Sequence, residues 1–105
     1  MSKFRDKVYK IVKKVPVGNV TTYKVIADIM GCKCYRAIGQ ALRNNPFAPE
    51  VPCHRVVKSN GKIGGYFGFK DGKYQKKKME LLKEEGVKIC NGRVSDFKEI
   101  LFRDL

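Results

Sequence analysis

Acidic side chains are scarce in this chain: 10 Asp and Glu stand against 23 Lys and Arg, a formal charge of +13 over 105 residues. The basic excess runs through the whole sequence rather than sitting in a tail, and a body this small repels itself unless a polyanion offsets the charge. Nucleic acid is the leading partner on that count. An acidic membrane surface would call for a strongly amphipathic basic helix with exposed aromatics, which the sequence does not offer. It also has no signal peptide and no apolar run long enough to span a bilayer. Histidine is scarcer still. His54 is the only one, so any imidazole chemistry has to use it. Four cysteines, Cys32, Cys34, Cys53 and Cys90, fit reduced thiols better than two disulfides in an intracellular basic protein. Cys32-Lys33-Cys34, even with Cys90 or His54 added, lacks the wider spacing of a zinc knuckle, so no metal is expected. No repeat, linker or low-complexity tract divides the chain. The expectation is one soluble, monomeric, intracellular domain spanning 1–105, with room for a single core.

What is present is mostly helix. Phe4, Val8, Ile11, Val12 and Val15 recur at helical spacing and predict an amphipathic helix from about Ser2 to Lys14, ended by Pro16-Val17-Gly18. Thr21 or Thr22 caps a second helix carrying Val25, Ile26, Ile29 and Met30, which Gly31 stops. A third helix fits Tyr35 to Arg43, with Ala37, Ile38, Ala41 and Leu42 inward and Arg36, Gln40 and Arg43 outward. Two short helices across a tight turn, the second bearing arginines, read as a helix-turn-helix. Asn44-Asn45-Pro46 and Pro49 then mark an irregular connection. Arg55 to Lys58 and Lys62 to Gly64 flank Ser59-Asn60-Gly61, a hairpin signal that would make the wing of a winged helix-turn-helix. Glycines around Tyr66 imply a loop that lets a ligand approach the backbone. Helix resumes from about Lys73 to Glu85, stopped by Gly86, with Lys76-Lys77-Lys78 as a solvated face. Ser95 or Asp96 starts a last short helix that buries Phe97, Ile100 and Leu101. The fold class is mainly α with a small β-hairpin.

The chemistry centres on Cys53 and His54. A thiol becomes a nucleophile when a nearby base or positive charge favours the thiolate. His54 is the available imidazole and needs an acidic partner to hold its tautomer. Glu85, at the end of a helix that has to pack back on the hairpin, fits that part. The alternative is a buried cysteine and histidine with a purely structural role.

"VPVGNVTTY", "RAIGQALRNNP", "VPCHRVV" and "LLKEEG", in that order from about Phe4 to Gly86, resemble the DNA-binding and catalytic domain of the alkylguanine-DNA alkyltransferases. The resemblance implies a protein that flips an alkylated guanine out of duplex DNA and moves the alkyl group from its six-position oxygen onto a cysteine, once and irreversibly, with no cofactor. Carried over by position, Cys53 would be the acceptor. His54 would be the base through a bound water, oriented by Glu85. Asn45 would shape the turn before the cysteine, and Tyr23 would assist rotation of the nucleotide and protonate or hydrogen-bond the leaving guanine. Arg36 would fill the vacated place in the stack. Thr22, Tyr23, Arg36, Ala37, Gln40 and Lys58 would face DNA, and Val56, Tyr66, Phe67 and Gly68 would line the base pocket. Phe67 replaces the small polar residue common there, leaving a backbone N–H for the guanine oxygen. The family's usual N-terminal domain has no counterpart in the sequence, which brings the chain close in size to the alkyltransferase-like damage sensors. Those lack the acceptor cysteine that Cys53 supplies here. A regulatory basic winged-helix module is the remaining alternative. The resemblance places the protein in the cytoplasm with the nucleoid, or in the nucleus of a eukaryote.

Overall fold

Apolar periodicity builds the first layer. In the computed structural model, which describes residues 3–44, 50–63 and 72–103, helix α1 (Lys3–Val12) buries Val8, Tyr9, Ile11 and Val12. These recur three and four residues apart, so they share one face. The chain tightens after Val12, with Val15 N–H donating to the Val12 carbonyl at 3.1 Å, and Pro16 prevents the helix from resuming. Strand β1 (Thr21–Thr22) leads directly into α2 (Tyr23–Met30). Thr22 is the N-cap, its Oγ1 accepting from the Val25 N–H at 3.1 Å. Gly31 closes α2 in the left-handed region, at φ 71°. Helix α3 (Tyr35–Arg43) buries Ile38, Ala41 and Leu42 and packs on both α1 and α2. Ala37 is exposed; on a helix that faces its partners with Ile38, Ala41 and Leu42, its side chain falls on the Arg36 side rather than inward as its apolar character suggests.

In the turn between α2 and α3, Cys32 and Cys34 stand on either side of Lys33 with their Cα atoms 5.3 Å apart. Cys53 is buried and Cys90 exposed.

After a 3-10 turn at Cys53–Arg55, strand β2 (Val56–Val57) pairs in parallel with β1, Thr21 against Val56 and Thr22 against Val57. Strand alternation then divides the core. Val56 joins the cluster of α1, α2 and α3, while Val57 joins Val20, Ile63, Leu82, Val87 and Val94 in a second one. Helix α4 (Gly72–Glu84) supplies Leu82 to that second cluster.

The expected hairpin is displaced. Its turn forms, since Lys58 N–H donates to the Lys62 carbonyl at 3.0 Å and Asn60 Oδ1 accepts from the Lys62 N–H at 3.0 Å. The flanking segments pair elsewhere, however: β2 with β1, and Lys62 in an antiparallel bridge with Arg93. The parallel β1–β2 pair lies between the two clusters, so Val56 is buried on one face and Val57 on the other. The antiparallel hairpin lies further on, β3 (Ile89–Cys90) against β4 (Arg93–Val94). Asn91 and Gly92 turn it with positive φ at both positions, the geometry that matches strand twist. Helix α5 (Phe97–Ile100) has Asp96 as N-cap and only half-buries Phe97 and Ile100 against the second cluster, less than the sequence pattern implies, because four residues expose most of their circumference to solvent.

Gly31 and Gly61 separate two effects of a methyl group. Both have positive φ, but a Cβ at Gly31 would meet nothing within 4 Å, whereas at Gly61 it would lie 3.2 Å from the Phe97 ring. Gly31→Ala should cost about 1 kcal/mol in urea unfolding from the left-handed backbone alone. Gly61→Ala should cost clearly more, and equal losses would show that the Phe97 contact yields freely.

Candidate active site

The 3-10 turn at Cys53–Arg55 is where the two clusters meet. Its hydrogen bonds, Cys53 N–H to the Val51 carbonyl at 2.8 Å and Arg55 N–H to the Pro52 carbonyl at 2.9 Å, present three consecutive side chains inward or along the domain seam. Cys53 and His54 are buried, at 6% and 2% exposure. Arg55 is largely enclosed as well.

Glu85, one residue past α4, receives both neighbours of the cysteine. His54 Nε2 lies 2.9 Å from Glu85 Oε2. Arg55 forks onto the same carboxylate, Nε donating to Oε1 at 2.9 Å and Nη2 to Oε2 at 2.7 Å, while its Nη1 donates to the Val15 carbonyl at 2.8 Å. A bidentate guanidinium pair of this kind is both strong and directional. Burial pushes the Glu85 carboxyl upward, but the hydrogen bonds from Arg55 and His54 outweigh it and leave its pKa below the ordinary value. Glu85 is therefore ionised at neutral pH and can only accept.

That fixes the imidazole. Burial lowers the His54 pKa, and the Glu85 hydrogen bond opposes this only in part. The ring is neutral at pH 7, with its proton on Nε2, where it donates to Glu85. Nδ1 keeps its lone pair, and it is buried without a hydrogen-bond partner among the described residues. A neutral imidazole oriented in this way is a proton acceptor at Nδ1.

Three further groups feel the Cys53 sulfur electrostatically. Tyr23, the first residue of α2, has its hydroxyl pKa raised by burial and then by Cys53. It keeps its proton. Tyr9 is raised by burial, with Cys53 among the smaller causes; its hydroxyl donates to the Ala41 carbonyl at 2.7 Å and ties α1 to α3. The third group is Lys78, and here the sequence reading is overturned. Lys78 is not part of a solvated face with Lys76 and Lys77 but is 1% exposed. Its Nζ donates to the carbonyls of Val56 and Ile63 at 2.8 and 2.7 Å. Burial lowers its pKa to about 7, partly opposed by Cys53. A signal was available: Lys78, Leu82 and Glu85 recur at i, i+4 and i+7, on one helix face. Arg55 was missed as well, although it follows the Cys53-His54 pair directly.

The remaining sequence-derived positions fall in three places. Arg36, Ala37 and Gln40 are exposed on α3, and Lys58 is exposed at the turn after β2. Thr22 is buried with its hydroxyl committed to capping α2, which sets where Tyr23 begins. Val56 is fully buried beside Cys53 in the first cluster. Asn45, Tyr66, Phe67 and Gly68 lie outside the described residues. Among the described residues no cluster of three or more His, Cys, Asp or Glu could hold a metal ion, and no helix is long and apolar enough to cross a membrane.

The family description "6-O-methylguanine DNA methyltransferase, DNA binding domain" matches residues 3–87, from the start of α1 to just past Glu85. The chain belongs to this methyltransferase family. Relatives include the methylated-DNA–protein-cysteine methyltransferase of Saccharolobus solfataricus, 50% identical over 86 residues that make up 82% of this chain and 52% of the relative. The chain thus spans about half the length of the curated relatives it matches. Among solved structures in the family, the Pyrococcus kodakaraensis O6-methylguanine-DNA methyltransferase superposes with a TM-score of 0.69 and 39% identity, over 83% of this chain and 48% of that one. Schizosaccharomyces pombe Atl1, solved with damaged DNA containing O6-carboxymethylguanine, gives a TM-score of 0.82 at 32% identity and covers 97% of this chain and 96% of its own.

Lys78 gives the methyltransferase domain a measurable pH signature. Unfolded, its amine holds a proton up to about pH 10; folded, it sheds it near pH 7. Between these values the unfolded state binds more protons, so stability rises with pH. Below pH 7 both states are protonated and the folded one bears the full burial penalty. Lys78→Met should flatten the rise in urea-unfolding free energy between about pH 7 and about pH 9. An unchanged slope in the variant would assign the rise to other groups.

Proposed function

We propose that this protein repairs alkylated guanine in duplex DNA by taking the alkyl group onto its own Cys53, in a single irreversible transfer. The observation that carries this reading is the neutral His54, anchored by Glu85 through Nε2 and holding a buried Nδ1 lone pair in the turn that begins with Cys53. In the proposed step His54 Nδ1 accepts the thiol proton through one water. The sulfur attacks the alkyl carbon, the S–C bond forms as the C–O bond breaks, and the electron pair passes to the guanine oxygen. Tyr23, protonated until the transfer, passes its proton to the departing base, and the proton that His54 took from the thiol then restores the phenol through water. The products are an unmodified guanine and a thioether. No residue of the site can hydrolyse a thioether, so each molecule acts once.

A base cannot be attacked inside the stack. In this reading Arg36, exposed on α3, enters the duplex where the nucleotide leaves, Ala37 and Gln40 lie along the groove, and Lys58 meets a phosphate. Asn45, Tyr66, Phe67 and Gly68 complete the base pocket in this reading. One unit thereby joins DNA binding to transfer, and it works where the chromosome is, in the cytoplasm with the nucleoid or in a nucleus.

A second reading has a specific observation behind it. Atl1 matches nearly the full length of both chains, which favours a damage sensor that binds the lesion without repairing it. The two readings part at Cys53. Incubation with a duplex containing 6-O-methylguanine, followed by intact mass and peptide mapping, should show one added methyl group, on Cys53. Cys53→Ala should bind the same duplex with its mass unchanged. Retained binding by the native protein with no mass change would establish the sensor instead.

A further inference from the structure

The family match ends at residue 87, yet the chain beyond it is built into the fold. Val94 N–H donates to the Gly61 carbonyl and Ile63 N–H to the Gly92 carbonyl, each at 2.9 Å, so the β3–β4 hairpin grips the turn after β2. The segment after α5 then joins the edge of β1. Val20 and Leu101 form a parallel bridge, Val20 N–H donates to the Ile100 carbonyl at 3.1 Å, and Phe102 N–H donates to the Val20 carbonyl at 2.7 Å. Asn19 Nδ2 adds a bond to the same Ile100 carbonyl at 3.0 Å.

This pairing delivers Arg103 to a defined place. It comes one residue after an anchored backbone position and lines an open notch of about 270 Å³ with Lys24 and Ser59, floored in part by Phe97 and Leu101. Asp28 is the one acidic group in the lining. It stands 3.9 Å from Lys24, with both side chains about two-thirds exposed, a pairing that solvent largely screens. Arg103 is exposed, and among the described residues no ion pair or hydrogen bond engages its guanidinium. Thr22, the cap of the helix that starts with Tyr23, and Ser59, next to Lys58, share the notch. The notch thus borders chain positions assigned to DNA, Tyr23 after Thr22 and Lys58 before Ser59.

We infer that the C-terminal segment supplies a DNA contact of its own: Arg103, held by the Val20–Leu101 pairing, binds a backbone phosphate of the duplex whose base enters the Cys53 site. The inference rests on the reading of the protein as a DNA-repair enzyme and extends its footprint past residue 87. Arginine suits the task because its planar fork meets phosphate oxygens bidentately. Its anchored backbone leaves less freedom to lose on binding than a loose tail would.

Binding of an unmodified duplex, followed by fluorescence anisotropy across a range of salt concentrations, tests this on the full chain. Arg103→Ala should lower the log-log salt slope by about 0.9 and weaken binding about eightfold near 0.1 M salt, the counterion-release contribution of one phosphate. Lys13→Ala removes an exposed lysine from a different cleft, lined also by Glu50, and should leave the slope unchanged. Methyl transfer by Lys13→Ala at saturating lesion duplex should match that of the native protein. An unaltered slope in Arg103→Ala, or an equal fall in Lys13→Ala, overturns the contact while leaving the repair reading intact. Preferential displacement of native protein over Arg103→Ala by inorganic phosphate, at matched ionic strength, would show a free-anion site and overturn it too. Absence of any duplex binding by the native protein overturns both the contact and the functional reading.

Discussion

One carboxylate organises the reactive end of this molecule. Glu85 accepts from His54 and from the forked Arg55 at once, and Arg55 in turn reaches the Val15 carbonyl at the end of α1. Remove that acceptor and two donors are left largely enclosed with their charge or proton unmatched, a state far costlier than a solvated one. The same contact decides the protonation pattern of His54, because an ionised acceptor on Nε2 leaves Nδ1 as the basic nitrogen. Fold and chemistry here depend on a single side chain at the C-terminal end of α4.

The basic charge of the chain divides into two roles with opposite environments. Most lysines and arginines are in water, where they lower the cost of approaching a polyanion. Lys78 is enclosed, holding the carbonyls of Val56 and Ile63 together across the seam. Its two bonds join β2 to the segment that follows the Asn60-Gly61 turn, so α4 and the residue just after it carry the amine that fixes the strand behind Cys53 and the carboxylate that orients His54. A charge count cannot tell these roles apart; only packing does.

Much of this was legible before any coordinates. Thr22 and Gly31 bound α2, and the Tyr35 to Arg43 periodicity gave α3 to the residue, because caps and amphipathic spacing are local signals. The pairing of Glu85 with His54 could be expected from chemistry, since an imidazole beside a thiol needs an acid and α4 had to return to it. What escaped was non-local. Ser59-Asn60-Gly61 does form a turn, but strand partners are chosen by burial across the whole fold, and β2 found β1. Asn91-Gly92 carried the same signal and does make a hairpin. Lys78 was read from its lysine neighbours when the deciding pattern was its spacing from Leu82 and Glu85.

The central claim is that burial keeps His54 neutral while Glu85 holds its proton on Nε2, so that Nδ1 can take the proton from Cys53. Nitrogen-15 NMR of the His54 ring in the native protein at neutral pH tests it directly, because the chain has one histidine to observe. The account predicts a pyrrole-like Nε2 and a pyridine-like Nδ1. An imidazolium at that pH, or the opposite tautomer with the proton on Nδ1, would contradict it.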